Sequence, residues 1–264
     1  MIFNFRRLIE TKDLLKEFVV RDLRSRYAGS TMGLFWSVVH PIMTLIIYTF
    51  LFSVILKVKL GDQSGITNFS LYLFCGMIPW AAFQETVMRS TTSIVDHSNL
   101  IKNLVFPAKI LPFYIACSSL ITGLISVTIL LVAILIILNF VSPYILLLPV
   151  VLLFQIMFAL GLSFTTAALH VFFRDTMQIV GVFLTVWMFL TPIFYPQSLV
   201  PEKFMFVYLL NPMTHLVHIY RDIFLKAQMF SIWNFIYFSL FSLVVYTVGY
   251  SVFTKYHRKF VDQL

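Results

Sequence analysis

Apolar and polar positions in this chain are arranged on two length scales. On the longer scale, apolar runs recur over Gly33–Leu56, Phe69–Met88, Leu111–Leu138, Ile145–His170, Ile179–Tyr195 and Trp233–Phe253. Crossing a bilayer takes roughly 20 apolar residues at a rise of about 1.5 Å each, so the pattern predicts six transmembrane helices. The fourth and fifth are separated only by Val171–Gln178, with Arg174 and Asp175 at the middle, which requires a tight reversal. On the shorter scale, Leu15, Phe18, Val19 and Leu23 fall at helical spacing while Lys16, Glu17, Arg21 and Arg24 face elsewhere. This predicts an amphipathic helix over residues 1–30, lying in the membrane interface ahead of a six-span domain over 31–264. Residues 195–232 are apolar in short pieces punctuated by Pro196, Pro201 and Pro212. Such pieces predict short external re-entrant or interfacial helices, because a broken backbone is tolerated there only under protein or water. The expected fold class is therefore all-α, integral to a membrane.

Composition supports that reading. The 264 residues are 60% hydrophobic and 11% charged, with a mean hydropathy of +0.92, against about 25% charged residues in soluble domains. The net charge of +8 does not point to nucleic acid, since the cations sit beside apolar runs and not on an aromatic-interleaved strip. Seven of them lie in the first twenty-six residues. In the six-span topology fourteen Lys and Arg fall on the side of the termini and five on the other, which puts both termini in the cytoplasm. A removable signal peptide is not expected. Trp36, Trp80, Trp187 and Trp233 fall in or near spans, as interfacial anchors do. Cys75 and Cys117 sit in apolar runs and read as small buried hydrophobes.

The chemistry is sparse. The chain contains no G-x-x-x-x-G-K-[ST], G-x-G-x-x-G or H-E-x-x-H motif, so any ATP used in its work is hydrolysed on another chain. His215 and His218 are three apart, but no third ligand accompanies them, and a satisfied pair outweighs a metal site. Glu85 and Arg89 read as an i, i+4 pair at the inner end of the second span in preference to a proton relay. Aromatics are abundant, with 29 Phe, 12 Tyr and 4 Trp. Most must be core or lipid-facing, yet sugars stack on rings, and Tyr48, Phe52, Trp80, Phe83, Phe194 and Tyr195 lie where an aromatic track through a pore is possible.

Several segments together resemble a known family. Arg21-Asp22-Leu23-Arg24-Ser25-Arg26-Tyr27-Ala28-Gly29-Ser30, then Gly33-Leu34-Phe35-Trp36-Ser37 and His40-Pro41, are similar to the approach to the first span in ABC-2 type polysaccharide exporter permeases. Gly76-Met77-Ile78-Pro79-Trp80, Asn99-Leu100-Ile101-Lys102-Asn103 and Phe106-Pro107-Ala108-Lys109-Ile110-Leu111-Pro112 resemble its second span and following loop. Phe172-Phe173-Arg174-Asp175, Thr191-Pro192-Ile193-Phe194-Tyr195-Pro196 and Asn211-Pro212-Met213-Thr214-His215 resemble its later signatures. The resemblance implies a homodimer joined to two copies of a nucleotide-binding ATPase subunit, with ATP and Mg2+ held by that partner and no cofactor in this chain. It implies a coupling helix at about 98–106, carried by Asn99, Leu100, Ile101, Lys102, Leu104 and Phe106, and an external gate at about 195–232. It further implies a lipid-linked glycan of the O-antigen, capsule or teichoic acid kind, carried on undecaprenyl, in the bacterial inner membrane. Arg21, Arg24 and Arg26 would meet the pyrophosphate head group, since guanidinium pairs well with phosphate oxygens; orientation by the positive-inside rule explains them equally. Simple anchoring of the 98–106 loop on lipid is the alternative to docking. An exporter of a smaller lipid or drug, an intramembrane glycan-phosphate transferase and a passive channel are the rival functions.

Overall fold

In the computed structural model of this protein the described residues are 5–26, 29, 30, 32–55, 68–103 and 106–264, so Leu104 of the loop after the second span lies outside them. The described residues are almost entirely helical and contain no strand. Helix α1 is Phe5–Ser25. A single 3-10 turn leads into α2 (Trp36–Tyr48), which loosens into a π-helical stretch over Thr49–Ile55. Then come α3 (Phe69–Asp96), α4 (Ser98–Asn103), α5 (Ile110–Leu138), α6 (Leu148–Phe172) and α7 (Thr176–Leu190). Two 3-10 turns precede α8 (Met205–Leu210) and α9 (Pro212–Phe224), followed by α10 (Ile232–Tyr256) and α11 (Phe260–Gln263).

Local chemistry sets the boundaries. The Asn68 side chain caps α3, accepting from the Ser70 and Leu71 amides at 3.0 and 3.2 Å. Asn139 adopts a left-handed conformation (φ 60°) just past α5 and stops it. The α6–α7 reversal turns through extended Phe173, whose carbonyl accepts from Thr176 Oγ1 at 2.6 Å. Asn211 caps α9, with Pro212 as its first residue.

Each of the six apolar runs overlaps a helical segment, and Leu56 at the end of the first lies outside the described residues. By length and composition three stretches suffice to cross a membrane: Ile110–Leu138, Pro143–Phe172 and Ile232–Gln263. The second helix outlasts its apolar run, continuing from Met88 to Asp96, because Arg89 is paired with other side chains and need not leave the bundle. The fifth ends at Leu190, five residues before the expected Tyr195, since Pro192 has no amide to extend it. At fifteen residues, α7 is about 22 Å long, short of a hydrocarbon core of about 30 Å.

Helix α3 is the central pillar, with eighteen of its twenty-eight residues buried, whereas α7 buries only Thr176 and Leu184. Around α3, Phe83 stacks on Phe158 at 5.1 Å, and Trp80 and Trp187 meet edge to face at 6.1 Å. Trp80 is fully buried, with Nε1 donating to Gln84 at 2.9 Å, so it is a core residue and not the interfacial anchor expected of it. Trp36 and Trp233 are exposed. Gln155 ties three helices together: it donates to the Pro79 carbonyl at 3.2 Å and accepts from the Tyr220 hydroxyl at 2.8 Å. Helices α6 and α10 touch through backbone, since a Cβ at Gly249 would lie 1.9 Å from the Gly161 carbonyl oxygen. Only glycine permits that approach.

Candidate functional site

The first candidate site is the end of the bundle where α1, α4 and α11 converge. The expected apolar stripe of α1 is real, and it rests on protein. Val19 is buried, and Leu15, Phe18 and Leu23 pack in one cluster with Ile94, Ile101, Tyr114, Phe253 and Phe260. Phe18 lies 5.7 Å from the Phe106 ring and 5.3 Å from Tyr114. Of the residues expected to couple to a partner, Ile101 and Phe106 are thus turned inward, which leaves Asn99 and Lys102 exposed and Leu100 half-buried on the outside of α4.

The three arginines expected at the lipid head group part company. Arg21 and Arg24 are exposed and line an open groove of about 850 Å3 along α1, shared with Asp13, Lys16, Glu17, Val20 and Ser25. Arg26 turns the other way. It pairs with Asp22 through Nε at 3.0 Å and with Glu85 through Nη1, and donates to Ser118 at 3.1 Å and Thr122 at 3.2 Å. A side chain so committed is turned into the bundle and away from the groove.

Asp22, 9% exposed, is the hub of that network and was not singled out by sequence reasoning. It accepts from both terminal nitrogens of Arg89 on α3 and from Ser118 on α5 as well as from Arg26. Glu85 and Arg89 do form the expected i, i+4 pair, at 3.4 Å, but Asp22 is the closer partner. Burial pushes the Asp22 carboxyl up; the hydrogen bonds from Arg89, Ser118 and Arg26 and the Arg89 charge outweigh it and hold the carboxyl below its ordinary value. A signal was present in the sequence: Asp22 follows Phe18 by four and Val19 by three, so an acid interrupts the apolar stripe of α1.

The second candidate site lies about 25 Å away along α3, counted from Arg89 to Tyr72. Here twelve of the thirteen residues of α9 are buried. Arg221, 2% exposed, lies over the Tyr72 ring at 3.4 Å and donates Nη2 to the Ile193 carbonyl at 3.0 Å. Its Nε and Nη1 have no partner, and no ion pair among the described residues includes it. Gly76 makes room for it, as a Cβ there would sit 3.1 Å from Nη2. Both histidines of α9 have protein partners: His215 bonds Asn234 and the Leu209 carbonyl at 2.9 and 2.8 Å, and His218 bonds the Tyr208 hydroxyl. Burial, then the Arg221 charge, lowers His218 to about 3 and keeps it neutral. No cluster of three metal-ligating side chains occurs among the described residues.

Four of the six track aromatics gather near this end. Tyr48 meets Phe52 at 6.2 Å, Phe52 meets Phe69 at 5.1 Å, and Tyr72 donates to the Tyr195 carbonyl at 3.1 Å. Phe194, beside Tyr195, stacks on Phe189 at 5.7 Å. Trp80 and Phe83 are 0% and 1% exposed and lie inside the chain's own core, apart from the other four.

Span-length apolar helices with charge confined to their ends define a multi-pass helical membrane protein. The chain belongs to the ABC-2 type transporter family, whose profile matches residues 13–225. It is 30% identical over 266 residues, covering the whole of both chains, to an O-antigen export system permease protein RfbA of Myxococcus xanthus. A Klebsiella pneumoniae protein of the same name is 28% identical over 96% of this chain and 95% of its own. The polysialic acid transport protein KpsM of Escherichia coli is 24% identical over 92% of this chain and 93% of its own.

Proposed function

We propose that this chain is the permease subunit of an ATP-driven exporter that moves a lipid-linked polysaccharide of the O-antigen kind across the bacterial inner membrane. The observation that carries the reading is the 30% identity to an O-antigen export permease along the full length of both chains. In this reading six helices span the membrane, α2 together with its π-helical continuation, α3, α5, α6, α7 and α10, and both termini are cytoplasmic. The end bearing α1, α4 and α11 then faces the cytoplasm, and α8–α9 form an outer gate of re-entrant helices. Two copies of the permease enclose the channel, and two copies of a separate ATPase subunit, which bind ATP and Mg2+, dock against α4 through Asn99, Leu100 and Lys102. Ile101 and Phe106 anchor that loop to α1 and α5. Arg21 and Arg24 meet the pyrophosphate of an undecaprenyl-linked glycan in the α1 groove, where charge-assisted hydrogen bonds favour a phosphate group. Tyr48, Phe52, Phe194 and Tyr195 supply ring surfaces near the outer mouth.

A second reading, export of a capsular polymer, is favoured by the similarity to KpsM. One experiment tests both. The permease is co-purified with the ATPase encoded nearest to its gene, and ATP hydrolysis is measured in nanodiscs with lipid-linked glycan extracts. Assembly with stimulation by an O-antigen-type extract is expected. Stimulation by a capsular extract alone selects the second reading, and assembly without stimulation by any glycan overturns both.

A further inference from the structure

We infer that the Asp22–Arg89 ion pair joins α1 to α3 as a single lever, through which a phosphate group arriving in the α1 groove controls ATP turnover by the partner docked at α4. The inference rests on the proposed exporter function and adds a route of regulation to it. Asp22 lies between the two groove cations in sequence, directly after Arg21 and two residues before Arg24, yet its side chain is on the opposite, buried side of the same helical turn. One turn of α1 therefore presents cations to a groove on one face and grips the bundle with the other.

The grip has a defined geometry. Both carboxylate oxygens of Asp22 are engaged, one by Arg89 and the other by Arg89, Arg26 and Ser118. Arg26 continues the network to Glu85 and Thr122, so two acids balance two bases across α1, α3 and α5. From Arg89, α3 runs seven residues to Asp96, where His97 hinges it to α4: the Leu100 and Ile101 amides donate to the His97 carbonyl at 3.0 and 3.3 Å. The His97 ring bonds the Ser93 carbonyl at 2.9 Å and lies 6.2 Å from Phe18 of α1. Helix α1 thus reaches the docking helix twice, by the ion pair through α3 and by Phe18 at the hinge. Apolar residues of the same volume commonly match or exceed a buried ion pair in stability, so a pair with a buried carboxylate and a half-buried guanidinium points to fixing one arrangement and not to strength alone. Coupling of this kind is a free energy shared between two sites and is measured as such.

The test uses the permease–ATPase complex in nanodiscs, with Asp22→Asn, Arg89→Gln, the double variant and Asp22→Glu. The probes are undecaprenyl pyrophosphate, phosphatidylglycerol and inorganic pyrophosphate, and the readouts are basal ATP hydrolysis and the ratio of stimulated to basal rate. In the wild type, undecaprenyl pyrophosphate is expected to raise hydrolysis several-fold. Each single variant is expected to assemble and keep its basal rate while the ratio falls close to one; the double variant is expected to fall no further, and Asp22→Glu to regain part of the ratio. Stimulation by inorganic pyrophosphate as well would support recognition of the head group alone, and stimulation by phosphatidylglycerol to the same extent would overturn recognition of pyrophosphate. A wild-type ratio in assembled Asp22→Asn complexes would overturn the inference while leaving the exporter reading intact, as would basal and stimulated rates that fall in proportion. No stimulation of the wild type by any probe would overturn the head-group reading together with the inference. If Asp22→Asn does not assemble, Arg89→Lys carries the test, because it keeps the charge and loses the two-pronged geometry: a lowered ratio supports the lever and an unchanged one overturns it.

Discussion

At one end of α3, Arg89 meets Asp22 and Glu85 in a network that extends to two hydroxyl-bearing side chains of α5; near the other end, Arg221 has a tyrosine ring, one carbonyl and no carboxylate. Both guanidinium groups are held within the same bundle. The first end spends its charges on one another, fixing three helices in one register. The second holds a cation by packing, with Gly76 leaving the space and two N–H groups unmet. A network of that kind is damaged by losing any member, whereas a lone buried cation is a cost that an apolar replacement relieves. In the proposed exporter this difference separates a fixed cytoplasmic assembly from an outer gate in which one side chain lacks its full set of partners.

The sharpest way to break the comparison is to remove its hub. Asp22→Ala leaves Arg26 and Arg89 with Glu85 as their one shared carboxylate, and is expected to lower stability by about 2 kcal/mol, read as a fall in melting temperature in detergent. Acid should reach the two ends at different pH values. His218 titrates below its ordinary range in the folded chain, so the unfolded chain binds the extra proton, and stability is expected to decline as pH falls from about 6.5 towards about 3. The contribution of Asp22 is complete above about 3.9 and is lost as pH falls from there through its depressed folded value. His218→Gln should remove the earlier phase and Asp22→Asn the later one, followed by thermal melting across pH.

Arg221→Met is expected to be neutral or to stabilise by about 1 kcal/mol, since it removes the desolvated cation and refills its volume; a loss like that of Asp22→Ala would erase the contrast. Gly76→Ala should cost about 1 kcal/mol by crowding the guanidinium. The smallest effect on stability is expected from Arg21→Gln with Arg24→Gln, within about 0.5 kcal/mol for exposed side chains, while glycan-stimulated hydrolysis falls.

The helical segments could be read from hydropathy because each apolar run had to be helical to satisfy its backbone. The α6–α7 reversal was legible from Arg174 and Asp175, and the Glu85–Arg89 pair from its spacing. The partners across the bundle were not legible. Asp22 lies 67 residues from Arg89, and among its cationic neighbours it read as part of a basic flank, although its place in the α1 stripe marked it. Trp80 read as an anchor because tryptophan serves both interfaces and cores, and only the helices around α3 decide between them. Arg221 was counted with the external cations, since charge tallies carry no information on burial.

The most direct measurement of the central claim is translocation itself. The permease and its ATPase are reconstituted into vesicles with radiolabelled lipid-linked O-antigen-type glycan in the outer leaflet, the ATPase facing outward, and polymer protected from an added glycosidase is counted over time. Protection that requires ATP and Mg2+ and is lost in Arg21→Gln, Arg24→Gln vesicles is the predicted result. Protection that accrues equally without ATP, or its absence from an assembled and ATP-hydrolysing complex, would contradict the account.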